Sequence, residues 1–106
     1  MEFSIESNYD VSKNGWEVIM AGEIDIFNSE QLKSSLLKLI NEKGKNLYLD
    51  CAKLTFIDST ALGALVGVLK NVKQGGGDIY INSLKPNLTK LFKITNLDKV
   101  FIIEVN

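Results

Sequence analysis

The segment Asp58-Ser59-Thr60 sets a carboxylate and two hydroxyls immediately ahead of a long apolar stretch that runs from Ala61 to Leu69. As a nucleophile either hydroxyl would need activation. A neighbouring carboxylate has too low an ordinary pKa to act as its general base, and no oxyanion device is visible. The chain has no histidine and one cysteine, so Ser-His-Asp and Cys-His systems and Cys/His metal sites are excluded; no catalytic residue, metal or cofactor is expected. What remains for hydroxyls at this place is to accept a phosphate. If the apolar stretch is a helix, its first amides have no intrahelical partner and its dipole is positive there, so a phosphate on Ser59 or Thr60 would be held favourably. The same three residues are also what an ordinary N-cap looks like, worth about 1 kcal/mol, and on the tripeptide alone capping is the favoured reading.

Composition limits what such a site can belong to. A chain of 106 residues with 45% hydrophobic residues can bury a core without staples but is too short for a catalytic domain plus a regulatory one, so one domain over residues 1–106 is expected. Twelve basic and thirteen acidic residues nearly cancel, at net −1, and the lysines are scattered. Nothing supplies the electrostatic footprint of a nucleic-acid binder. No apolar run approaches the roughly 18 residues of a membrane span, and the N-terminus lacks a signal-peptide layout; the chain reads as cytoplasmic, without direct membrane insertion. Cys51, inside Leu47 to Ala52 with no cation adjacent in sequence, reads as a small core residue rather than a reactive thiol.

The elements that must position Asp58 to Thr60 follow from periodicity. Phe3 and Ile5 alternate with polar residues, and Trp16, Val18 and Met20 alternate with Glu17, Ile19 and Ala21 in a second segment, which predicts two strands. Asn14-Gly15 predicts a tight turn joining them as an antiparallel hairpin, with Val11 to Lys13 close to the bend. A helix starts at Asn28 or Ser29, where Asn28 and Gln31 have capping-box spacing. It runs to about Asn41 with Leu32, Leu36, Leu39 and Ile40 on one stripe, and Gly44 stops it. Leu47 to Ala52 predicts a short buried strand, and Ser59 to Gln74 a second helix that is apolar almost all round near its start. Gly63 and Gly67 each cost that helix about 1 kcal/mol relative to alanine, which predicts another backbone close to their face. Gly75-Gly76-Gly77 follows a helix and lacks a lysine-serine pair, so it reads as a reversal and not a phosphate loop. A strand over Asp78 to Asn82, a third helix opened by Pro86 with Leu88, Leu91 and Phe92 on one face, and a last strand from Phe101 to Val105 complete the chain. The expected fold is α/β, in the order β-β-α-β-α-β-α-β around a mixed sheet. Whether the helices cover one face or two stays open.

Taken in order, Gly22-Glu23-Ile24-Asp25, the strand Leu47 to Cys51, Phe56 through Gly63, Gly76-Gly77, and Leu84-Lys85-Pro86 through Leu91-Phe92 resemble a STAS domain. The resemblance is to the bacterial anti-sigma factor antagonists, and it spans nearly the whole chain. It departs at Ala61, where the motif often has glycine, and at the end of the chain, where many relatives carry a further helix.

The resemblance implies partner switching. In that family the unphosphorylated antagonist binds an anti-sigma factor that is also a serine kinase, which releases a sigma factor; phosphorylation of the motif serine ends the interaction, and a serine phosphatase restores it. Carried onto this chain, the phosphoacceptor is Ser59, with Thr60 the second candidate. The implied partner surface comprises Glu23, Asp25, Asp58, Ser59, Thr60 and Leu62. Asp58 would cap the helix and stay at that surface. Glu23 and Asp25 read equally well as solvated loop charges. A different outcome is a STAS module that does not switch, docking on a transporter or a stressosome assembly. A nucleotide-hydrolysing enzyme ranks last, having neither a Walker loop nor histidine.

Overall fold

The computed structural model describes residues 3–104. Five strands form one sheet: β1 (Ser4–Asp10), β2 (Gly15–Ile24), β3 (Asn46–Ile57), β4 (Ile79–Asn82) and β5 (Ile102–Glu104). Three helices alternate with them, α1 (Ser29–Glu42), α2 (Ser59–Gln74) and α3 (Pro86–Ile94). The strands lie side by side in chain order, β1 antiparallel to β2 and all later pairs parallel. The expected element order is therefore met.

That strand order settles which face the helices cover. Crossovers between parallel strands are right-handed, so a sheet that always grows in the same direction puts every connecting helix on the same side. Burial follows suit. Trp16, Val18 and Met20 on β2, Leu47, Leu49 and Cys51 on β3, and Ile79 and Ile81 on β4 are buried with Leu32, Leu36, Leu65, Val68, Leu88 and Phe92 from the helices. Glu17, Ile19, Tyr48, Asp50 and Tyr80 alternate onto the open side, where Tyr48 and Tyr80 stack at 4.6 Å.

Several details differ from the sequence reading, among them the start of β4 at Ile79 instead of Asp78. The hairpin turn is not confined to Asn14-Gly15: the register pairs Asp10 with Gly15, leaving four residues between. They form a 3-10 turn over Val11–Lys13 because the Asp10 carboxylate accepts hydrogen bonds from the Ser12 N–H at 2.9 Å and the Ser12 hydroxyl at 2.6 Å. Asn14, with φ 50°, closes it. The capping box at α1 does not form; Asn28 directs its side chain elsewhere. Strand β3 does not stop at Ala52 but continues to Ile57. Beyond Cys51 its buried residues are Leu54 and Ile57, three apart, and the register against β2 shifts twice, between Ile19 and Ala21 and between Gly22 and Glu23. Each irregularity inserts a residue and breaks the two-residue period from which strands are read.

The glycine run after α2 is a reversal, as expected. Gly76 has φ +82°, and a Cβ on Gly77 would stand 1.7 Å from the Lys45 carbonyl oxygen, so only glycine lets β4 enter beside β3 here. The last strand begins at Ile102 instead of Phe101, which is buried and meets Phe92 edge-on at 5.6 Å. Val105, the expected end of that strand, lies outside the described residues.

Candidate functional site

Because β2 and β3 are parallel and paired to their ends, Glu23 with Phe56 and Ile24 with Ile57, the turns into α1 and α2 emerge side by side. The sheet thus delivers Glu23, Asp25, Asp58, Ser59 and Thr60 to one edge, at the carboxyl ends of the strands. Asp58 joins the two turns. Its Oδ1 accepts the Ala61 N–H at 2.8 Å, capping α2, and its Oδ2 accepts the Ile26 N–H at 3.0 Å, across 32 residues of sequence. Its own N–H donates to the Ile24 carbonyl at 3.1 Å. With both carboxylate oxygens engaged, Asp58 positions this surface and has no free oxygen held ready as a base.

The loop before α1 is fixed from within. Asn28 Oδ1 accepts the Asp25 N–H at 2.8 Å, and Asn28 Nδ2 donates to the Glu23 carbonyl at 2.9 Å. Asp25 Oδ1 accepts the Phe27 N–H at 2.9 Å, an Asx-type turn. These bonds satisfy the polar backbone of the loop while its two apolar side chains point outward: Ile26 is 62% and Phe27 93% exposed. Phe56, paired with Glu23, adds a third exposed apolar side chain.

Ser59 and Thr60 are both exposed, and their hydroxyls bond to no other described residue. Asp58 takes the Ala61 amide, and the Leu62 amide donates to the Asp58 carbonyl at 2.9 Å. That leaves the Ser59 and Thr60 amides, two of the four first-turn donors, free for an anion at the positive end of the dipole. Leu62 is not brought to this surface. It is 5% exposed and packs in the core, because it falls on the sheet-facing stripe of α2 with Leu65 and Leu69.

Ile26 and Phe27 escaped the sequence reading, and the signal for them was present: an apolar pair between a strand end and a helix cap, belonging to neither periodicity. Cys51 lies in the core, 1% exposed, and burial pushes its thiol up to about 12, with the Asp50 charge adding to the effect. It stays protonated and unreactive at neutral pH. Among the described residues no group of three His, Cys, Asp or Glu is placed to hold a metal ion, and no helix is long and apolar enough to cross a membrane. A shallow hollow of about 460 Å³ lies on the open sheet face, lined among others by Glu6, Glu17, Tyr48 and Asp50; it takes no residue from the Asp58–Thr60 edge.

An open mixed sheet with helices on one side, and an Asp58-capped second helix that starts at Ser59, is the arrangement expected of a STAS domain. The STAS-domain family model matches residues 11–106, and the chain belongs to that family. It is 37% identical over 98 residues to the anti-sigma-B factor antagonist of Bacillus subtilis (strain 168), covering 91% of this chain and 89% of that protein. With the anti-sigma-B factor antagonist of Staphylococcus aureus (strain NCTC 8325 / PS 47) it shares 30% identity over 82 residues, 77% of this chain and 76% of the other. The crystal structure of an anti-sigma factor antagonist from Mycobacterium paratuberculosis superposes with a TM-score of 0.83 at 19% identity, covering 96% of this chain and 85% of that one. At that identity the likeness speaks for the fold.

Proposed function

We propose that this chain is an anti-sigma factor antagonist of the cytoplasm, a binding regulator without catalytic activity of its own. In its unphosphorylated form it binds an anti-sigma factor that is also a serine kinase and so releases a sigma factor. Phosphorylation on Ser59 switches that binding off, and a serine phosphatase restores it. The observation that carries the reading is the exposed Ser59 hydroxyl beside the free first-turn amides of α2, on a surface that also presents Ile26 and Phe27.

The surface divides the work. Phe27 and Ile26 offer apolar area held on a bonded loop, the kind of anchor that dominates binding energy once buried by a partner. Asp58 ties that anchor to the phosphoacceptor, so both reach a partner in a fixed relation. Glu23 and Asp25 line the same edge, with Thr60 next to Ser59 as the second possible acceptor.

A phosphate adds about −1.5 to −2 charges and three acceptor oxygens next to the Asp58 carboxylate. In the free protein the dipole and open amides offset this by about 0.3–1 kcal/mol. Burying the same dianion against a partner costs several kcal/mol unless a new cation meets it. A penalty of about 4 kcal/mol weakens binding near a thousandfold. The switch therefore needs no rearrangement of the fold.

The test is affinity for the organism's anti-sigma factor kinase before and after stoichiometric phosphorylation. Tight binding before and at least hundredfold weaker binding after supports the reading. Equal binding in both states, or co-purification with a membrane transporter or large assembly irrespective of Ser59, points instead to a module that does not switch.

A further inference from the structure

We propose that Gly63 is a recognition residue of the Ser59 surface, its missing side chain leaving the main chain of α2 bare so that the partner's chain can pack directly against it. This rests on the antagonist reading and narrows where the partner comes closest. Gly63 lies one turn after Ser59 on the same exposed face of α2. Inside a helix glycine is worse than every residue except proline, so an interior glycine calls for a reason.

The two reasons internal to a fold are absent at Gly63. It is not among the residues with positive φ, and a Cβ built on it would meet nothing within 4 Å among the described residues. At Gly15 and Gly77 the reasons are plain. A Cβ on Gly15 would stand 2.4 Å from the Asn46 carbonyl oxygen, and one on Gly77 would strike Lys45. Gly67, one turn beyond Gly63, would meet only the end of the Lys33 side chain, 3.1 Å away and able to move. Alanine at 63 would therefore suit the free chain better than glycine does. No described residue is what a methyl group there would obstruct, and the open space lies on the face that carries Ser59, where a partner would approach.

The experiment measures melting temperature and affinity for the purified anti-sigma factor kinase of the same organism, in the wild type, Gly63→Ala, Gly63→Leu and Gly67→Ala. Alanine and leucine are both strong helix formers, so neither change at 63 threatens the fold. The expected result is a rise in melting temperature of about 4 °C for Gly63→Ala, with binding at least tenfold weaker, and weaker still for Gly63→Leu. Gly67→Ala should melt higher and bind like the wild type. Wild-type affinity in both Gly63 variants overturns the inference while leaving the antagonist reading intact. An equal loss in Gly67→Ala also overturns it, because the loss then follows helix stiffening and not contact at Gly63. A wild type that does not bind the kinase removes the antagonist reading and this inference together.

Discussion

Helices α1 and α2 open on nearly the same dipeptide, Asn28-Ser29 and Asp58-Ser59, at the same edge of the sheet, and the two serines meet opposite fates. Ser29 is 2% exposed, its amide bonded to the Asp25 carbonyl at 2.9 Å. Ser59 is exposed with a free hydroxyl. The difference begins one residue earlier. Asn28 has both a donor and an acceptor, and uses them on the Asp25 amide and the Glu23 carbonyl, folding its own loop back over the start of α1 and leaving that helix without a side-chain cap. Asp58 has acceptors only, so it caps α2 and reaches across to Ile26, leaving the surface above Ser59 clear. One helix start is closed by its loop, the other is held open by it. Whether the serine at a helix start stays exposed thus depends on what the residue before it can donate as much as on the serine.

The two serines separate most clearly when each hydroxyl is removed in turn. Ser59→Ala should abolish phosphate transfer by the kinase, whereas Ser29→Ala should leave it unchanged, as followed by incorporation of labelled phosphate. Ser59→Asp should fold normally and bind the kinase at least tenfold more weakly, about 1.4 kcal/mol, a partial effect because a carboxylate has less charge and fewer acceptors than a phosphate. Next in size is the loop that closes one site and flanks the other. Phe27→Ala should weaken kinase binding about 10- to 100-fold by calorimetry, the range of a hot-spot truncation, with a melting temperature close to wild type because the ring is 93% exposed. A large drop in melting temperature would show that the ring serves the fold.

Smaller effects separate the two caps. Asp58→Ala removes the α2 cap and the tether to Ile26, and should cost about 1–2 kcal/mol by denaturant unfolding. Asn28→Ala should cost about 1 kcal/mol through its loop bonds, with no loss of helix content at α1, since it caps nothing there. If Asn28→Ala unravelled the first turn of α1 while Asp58→Ala left α2 intact, as judged by amide exchange, the division of labour between them would be reversed.

Much of this was legible in the sequence. Alternation in β2 and the stripe Leu32, Leu36 on α1 mark a sheet face and a helix face without ambiguity, and Asp58 before an apolar run marks a cap. The second half of β3 was not legible, because its irregular register spaces Leu54 and Ile57 like neither a strand nor a helix. The face covered by the helices depends on strand order, which periodicity does not carry. Capping-box spacing at Asn28 and Gln31 misled because it takes no account of a loop competing for the same amide side chain. At the site, residue type and position pointed to Ser59, but its bridge to Ile26 and the exposure of Phe27 arise only when two parallel strands end together.

On the proposed reading Ser59, and not its counterpart Ser29, is the residue through which this surface is switched. That role is tested most directly by incubating the wild-type chain with the cognate anti-sigma factor kinase and ATP and locating the phosphate by mass spectrometry. A single phosphate on Ser59, with Ser29 unmodified, is the expected result. No phosphate, or a phosphate on any residue other than Ser59, including Thr60, would contradict it.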